Sequence, residues 1–248
     1  MQPQKNLNIQ NFNSKNYSGL DILKNIEKNL YFFNLSIVRM LSIRMGFRKV
    51  ILDFGAGVGT IAKIWFTENS VKPECLEIDS RFRKILIKRG LVCYQDIKSL
   101  KKKYELIYSS NVLEHIKNDQ ETLKKLHSKL ENDGLLCLFV PAFNCLYSDL
   151  DWHVGHYRRY TKKDITLKLE LAKFDIIDCY YSDSIGFLVW LLFIKIFKFK
   201  LTNNHSSSAC LKFYDKFLLP ISFFLDSLGL KFMLGKNLVV IAKKNKQG

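Results

Sequence analysis

The chain has 248 residues, 48% hydrophobic and 25% charged, which suits one large folded domain and excludes disorder, collagen-like repeats and low complexity as its main state. Its 39 Lys and Arg against 23 Asp and Glu leave a formal net charge of +16, an attraction for polyanions, yet 31 of the basic residues are Lys and no Arg-rich stripe is present to fork onto bases or phosphates. The six cysteines (Cys75, Cys93, Cys137, Cys145, Cys179 and Cys210) follow no metal or redox spacing, so they read as free thiols of a reducing compartment, and no metal site is expected.

Residues 1–18 are polar and Asn-rich, without the apolar stretch of a secretory signal. Over 20–45, apolar residues recur at helical spacing (Ile22, Ile26, Leu30, Phe33), which predicts one or two helices ahead of the first strand. Strands and helices then alternate. Val50 to Phe54 reads as a buried strand running into a Gly-rich turn. Cys75 to Ile78, Leu91 to Tyr94 and Leu106 to Ser109 read as the next three strands. Residues 119–131 form a helix with its apolar face at Leu123, Leu126 and Leu130, and Leu135 to Val140 is a fifth strand closed by Pro141. Two more strands are expected near Asp175 to Tyr181 and Leu238 to Lys243. The order predicts an α/β fold: a Rossmann-like, seven-stranded, mostly parallel sheet over 50–182, completed by a last strand and basic tail over 236–248.

Between the last two strands lies an insertion, 184–235, that holds eleven of the 33 aromatic residues. The run from Ile185 to Ile194 is ten apolar residues, short of the ~20 that cross a bilayer. It leads into Lys195, Lys198 and Lys200 alternating with Phe197 and Phe199, and Trp190, Phe193 and Phe197 share one helical face. The pattern is that of an interfacial helix or a hydrophobic cap. A second apolar stretch, Phe217 to Leu230, is expected to kink at Pro220.

The turn after the first strand reads Asp53-Phe54-Gly55-Ala56-Gly57-Val58-Gly59-Thr60. Glycines there let the chain turn sharply and let a ligand approach the backbone. The third glycine comes one place earlier than in a dinucleotide loop, and the acid Asp53 just ahead suits an ammonium better than a pyrophosphate. Asp79, twenty residues beyond Gly59, is placed for ribose hydroxyls, and Asp96 for an adenine amino group. The set fits S-adenosylmethionine better than NAD.

On these residues the chain resembles class I S-adenosylmethionine-dependent methyltransferases. The likeness covers roughly 20–182 and the last strand. It includes Leu76-Glu77-Ile78-Asp79, the segment Ser109-Ser110-Asn111-Val112-Leu113-Glu114-His115, and Leu130 to Pro141. Two further segments are similar to a subgroup encoded among cell-envelope polysaccharide and glycolipid enzymes: Asp151-Trp152-His153-Val154-Gly155-His156-Tyr157-Arg158-Arg159-Tyr160-Thr161, and Glu27 with Tyr31-Phe32-Phe33. Departures are Ala56 where Cys is frequent, Glu105 where Asp is usual, and a single glycine in Asn132-Asp133-Gly134. The resemblance implies a cofactor site of Asp53, Gly55, Ala56, Gly57, Gly59, Asp79, Ser80, Asp96, Ile97, Asn111 and Leu113.

Methyl transfer is an in-line displacement in which positioning carries most of the catalysis, and a hydroxyl acceptor also needs a base. The candidate catalytic residues are His115, His153, His156 and Tyr157. Asp151, Arg158, Arg159, Tyr160 and Trp190 are candidates for binding the acceptor, the two arginines as a fork for an anionic group. His127 and His205 read as solvated. The expected acceptor is small or amphiphilic, a glycan, glycolipid or lipid-linked intermediate, met by a cytoplasmic protein at the inner face of the cell membrane through 184–235. The alternatives are an RNA methyltransferase, which the charge suggests but no RNA-binding module supports, and a non-catalytic scaffold of the same fold. An NAD-dependent oxidoreductase is a third rival, disfavoured by Asp53 and the early Gly59.

Overall fold

The structure is a computed structural model and describes residues 19–192 and 208–245. Two helices lead the chain, α1 (Gly19–Asn29) and α2 (Tyr31–Ser42). The core then runs β1 (Ile51–Phe54), α3 (Thr60–Asn69), β2 (Glu74–Leu76), α4 (Ser80–Lys88), β3 (Cys93–Tyr94), β4 (Tyr104–Ser110), α5 (Asp119–Lys129) and β5 (Leu130–Pro141). It continues through α6 (Asp149–His153), α7 (Lys162–Leu171), β6 (Phe174–Ser182), α8 (Ser184–Val189), α9 (Ser208–Phe213), α10 (Leu219–Ser227) and β7 (Asn237–Lys244).

The seven strands form one sheet in the order β3-β2-β1-β4-β5-β7-β6. The pairs from β3 to β5 are parallel, and β7 enters antiparallel to both β5 and β6. All four residues of β1 are buried, as a central strand covered on both faces requires. Alternate side chains divide between two apolar layers. Leu52, Phe54, Ile107, Leu136 and Leu138 join the layer under α5 and α7. Ile51, Leu106, Tyr108, Cys137 and Phe139 join the layer that holds α2 and Trp65 of α3. The order of strands reverses between β1 and β4, and in open α/β sheets the ligand crevice lies beyond the carboxyl ends at such a reversal.

Three details add to or correct the reading from local pattern. The loop after β5 contains a short helix, α6, whose first turn Ser148 and Asp151 close with reciprocal bonds. His127 is half-buried rather than solvated, with its ring edge-on to Phe174 at 5.1 Å. Around Pro220 helical structure continues from Ser208 to Ser227, and the coil widens to a π turn over Tyr214–Leu218 just ahead of the proline. That wider turn accommodates the missing N–H and the bulk of the ring. Phe193, Lys195, Phe197, Lys198, Phe199, Lys200 and His205 lie outside the described residues, as do 1–18 and 246–248.

Candidate functional site

β1 delivers the chain into the glycine turn at the sheet's reversal. Gly55 and Ala56 donate their amides to the Leu76 carbonyl, at 2.8 and 3.1 Å, so the turn stays bound to β2. Gly55 has φ +81°, and a Cβ there would stand 2.3 Å from Cγ2 of Val112, in the segment after β4. The glycine is thus needed twice, for the left-handed backbone and for the close approach of two site segments. Gly57, at φ +54°, donates its amide to Glu77 Oε2 at 2.8 Å, while Glu77 Oε1 accepts from the Asp79 amide, also at 2.8 Å. One buried carboxylate therefore ties the glycine turn to the tip of β2. Leu23 of α1 covers Gly57, and the Glu27–Arg89 pair, two bonds of 2.9 Å, holds α1 on the core.

The sheet order sets the tips of β3, β2, β1 and β4 in a row, so the segments of Asp96, Asp79, the glycine turn and Asn111 are neighbours. Asp79 is half-buried and caps α4, accepting from the Arg81 amide at 2.8 Å. The Arg81 guanidinium, 2.6 Å from Oδ2, holds the Asp79 carboxyl below the usual carboxylate range. Ser80 is exposed at the first turn of α4. Asp96 accepts from the Ser99 amide at 2.8 Å and so caps the turn that carries half-buried Ile97. Asn111 is exposed at φ +53°, beside half-buried Val112 and buried Leu113.

Asp53 departs from its expected role. Its side chain is buried and accepts from the Tyr108 hydroxyl at 3.0 Å, with Trp65 stacked on that ring. Burial raises its pKa to about 7, against the opposing bond from Tyr108. The carboxyl is thus occupied inside the sheet's packing rather than offered as a free anion for an ammonium group. The other residues fit S-adenosylmethionine by the chemistry of the donor set: Asp79 at the β2 tip for a ribose diol, Asp96 at the β3 tip, and glycine backbone where a side chain would fill the cradle.

Beyond β4 and β5 the histidines gather. Glu114 is fully buried in the turn Leu113–His115, and neither carboxylate oxygen has a hydrogen-bond partner among the described residues. Burial raises its pKa to about 8. His156 Nε2 lies 3.8 Å from Glu114 Oε1, and its Nδ1 is 2.8 Å from Asp151 Oδ1. The His115 ring stands edge-on to His156, centroids 4.6 Å apart. His115 is at the rim, yet the protein around its ring and then His156 push its pKa down to about 4. The Tyr157 amide donates to the Glu114 carbonyl and so joins the two loops, and Tyr147 Oη donates to the His156 carbonyl within the loop after β5.

The two arginines do not form an open fork. Arg159 is buried, with Nε and Nη2 on the Asp151 carboxylate at 2.9 and 3.1 Å and Nη1 on the Ala142 carbonyl. Arg158 spends Nη1 on Asp119 and Nη2 on the Lys117 carbonyl, both at 2.7 Å. Tyr160 is buried with its hydroxyl on Asp119, and Asp151 is consumed by His156, Arg159 and Ser148. These are anchors of the loop, because a buried charge needs its partner. His153 is exposed and bonded through Nδ1 with the Asp149 carbonyl, and Tyr157 is exposed beside Arg158. Trp190 donates Nε1 to the Leu146 carbonyl at 3.0 Å, between the cations of Arg159 and Lys236 at 5.2 and 4.9 Å from its ring. Local pattern gives no role to Glu77 and Glu114. The only signal for either is an acid inside an otherwise apolar strand end.

A family profile described as Methyltransferase domain matches residues 33–178. None of the curated proteins matches the chain. Among solved structures, the chain is similar to a SAM-dependent methyltransferase from Archaeoglobus fulgidus, at 17% identity over 92% of this chain and 100% of that one, TM-score 0.59. It is similar to an S-adenosylmethionine-dependent methyltransferase from Clostridium acetobutylicum, at 12% identity over 91% and 97%, TM-score 0.56. It is also similar to phosphoethanolamine N-methyltransferase 2 of Haemonchus contortus, at 16% identity over 87% of this chain and 53% of that one, TM-score 0.55. At such identities these likenesses show the fold.

Proposed function

This chain belongs to the methyltransferase domain family as a class I S-adenosylmethionine-dependent enzyme, and from that premise we propose that its acceptor is amphiphilic and met at a membrane surface. Bound S-adenosylmethionine supplies a methyl group on a sulfonium, already activated toward displacement. Asp79 would hold the ribose, Asp96 and Ile97 the adenine, and the backbone of Gly55 to Gly59 the amino-acid end. Ala56, Ser80, Asn111 and Leu113 would complete the same site. The protein's main contribution is orientation and exclusion of water, which can supply ~7–11 kcal/mol of a barrier. The acceptor's reacting group meets the corner of Glu114, His115 and His156, where a histidine ring nitrogen takes its proton as general base.

The observation that carries this reading is a helix with its polarity inverted. Between Ser208 and Ser227 the buried side chains include Asp215, Ser222 and Asp226. Each has a partner: Asp215 accepts from the amides of Phe32 and Phe33 at the start of α2. Asp226 accepts from those of Asp183 and Ser184, and Ser222 donates to Asp183. The outer face shows Phe213, Phe217, Ile221, Phe224 and Leu228, each at least half exposed, in steps of four, four, three and four residues. Phe232 and Met233 extend the stripe, and exposed Lys212 and Lys216 flank it. A continuous exposed apolar stripe edged by cations fits the interface of an anionic membrane. An apolar groove of about 310 Å³ between α2 and α10, lined by Phe32, Leu35, Met40, Leu219 and Phe223, offers room for part of an acyl chain. Among the described residues no helix is long and apolar enough to cross a membrane, so contact would be peripheral.

A glycolipid or lipid-linked glycan at the inner face of the cell membrane satisfies this surface and the resemblance to envelope-glycan enzymes. Co-sedimentation with phosphatidylglycerol-containing vesicles at low salt is expected, weakened by salt and by Phe217→Ser with Phe224→Ser. Transfer of labelled methyl into an extracted lipid fraction is expected with the unaltered protein. No vesicle binding at low salt would overturn the membrane contact, and label confined to RNA would overturn the acceptor class.

A further inference from the structure

We propose that Glu114, His115 and His156 bind a divalent transition-metal cation of the zinc class. The three residues bring one ligand atom each to within 4.8 Å of one another. Ligands held at ~2.0–2.2 Å in a tetrahedral zinc site lie about 3.4 Å apart, so small side-chain rotations close the gap. Two imidazoles and one carboxylate make up a known class of open site, one that leaves positions for water or a substrate oxygen.

Three features around the cluster point to a cation. Glu114 has no exposed surface, and both its oxygens lack a hydrogen-bond donor among the described residues, a costly state for a buried carboxyl group. The Asp151 carboxylate stands 2.8 Å from His156 Nδ1. A proton on Nδ1 directed at that carboxylate leaves Nε2 as a lone pair. Nε2 and Glu114 Oε1 then face each other at 3.8 Å, too far apart for a hydrogen bond between them. A carboxylate behind a histidine is also the usual support of a metal-ligating imidazole, fixing its tautomer and raising its basicity.

Binding of the cation stands on this geometry alone. Its use rests on the function proposed above: a bound metal lowers the pKa of a coordinated hydroxyl, so that an acceptor alcohol loses its proton to solvent near neutral pH.

The test is a titration of tag-free, metal-stripped protein with Co²⁺ followed by its visible d–d absorption, with Zn²⁺ as competitor. One equivalent of Co²⁺ is expected to give tetrahedral or five-coordinate bands that Zn²⁺ abolishes. His115→Ala, at the exposed rim, is expected to weaken Co²⁺ at least tenfold. Glu114→Gln is expected to do the same with the far-ultraviolet spectrum unchanged. Absence of the bands, their persistence at full affinity in both variants, or thiolate charge-transfer bands showing cysteine ligation would overturn the site. Methyl transfer undiminished in the stripped protein would remove its catalytic use while leaving the methyltransferase reading intact.

Discussion

Replacing Glu77 by Gln tests how the cofactor loop is held. The wild-type carboxylate accepts two amide hydrogens, from Gly57 and Asp79, each at 2.8 Å and away from solvent. Gln keeps one acceptor and presents an NH₂ to the other amide, so one bond is lost and two donors are forced together. A hydrogen bond to a charged group contributes ~1.5–3 kcal/mol, so Glu77→Gln should cost about 2–3 kcal/mol. For a chain of this size that corresponds to a fall of roughly 4–12 °C in Tm. If Gly57 adopts its binding conformation only while pinned, the same energy appears in ligand affinity, where ~1.4 kcal/mol is tenfold. Calorimetry with S-adenosylhomocysteine should then give a Kd raised about 10- to 100-fold. A variant that melts lower but binds as tightly would show that the Gly55 and Ala56 bonds to Leu76 suffice to shape the loop. Unchanged melting and unchanged affinity together would refute the reasoning.

The buried acid Asp53 should leave a mark on stability against pH. Its pKa is near its ordinary value of about 4 when unfolded and about 7 when folded, so between these values the unfolded chain releases its proton first. Stability should therefore fall as pH rises from 4 to 7, by an amount on the order of 4 kcal/mol for the full shift, and urea unfolding of Asp53→Asn should show that slope flattened. An unaltered slope in the variant would place the pH dependence elsewhere. Gly55→Ala puts a methyl group 2.3 Å from Val112 Cγ2 on a left-handed backbone, and strain with overpacking should cost about 2–5 kcal/mol. Thermal melts should show that Val112→Ala restores part of this loss in the double variant, because the two side chains meet; strict additivity would argue against the clash.

Much of this protein follows from local pattern. The order of strands and helices, the glycine turn and the acids at Asp79 and Asp96 are legible because each depends on a few neighbouring residues: runs of apolar side chains, a backbone needing positive φ, a capping carboxylate. The antiparallel entry of β7 between β5 and β6 places the last strand inside the sheet rather than at its edge, and its pairing with β5 joins segments about a hundred residues apart. What local pattern could not assign is partnership at a distance. Asp53 looks available in sequence but meets Tyr108, 55 residues on, and is taken into the packing. Arg158 and Arg159 look like a surface fork, yet Asp119 and Asp151 claim them, because charges that folding removes from water settle on the nearest opposite charge. The helix through Phe217 reads as an apolar cap, and its apolarity is evident along the chain. Which face turns outward was decided by Phe32, Asp183 and Ser184, whose amides Asp215 and Asp226 must satisfy inside. Sequence sets the chemistry each segment carries; the three-dimensional packing decides which groups remain free to use it, since a buried polar group is committed to the partner that folding brings to it.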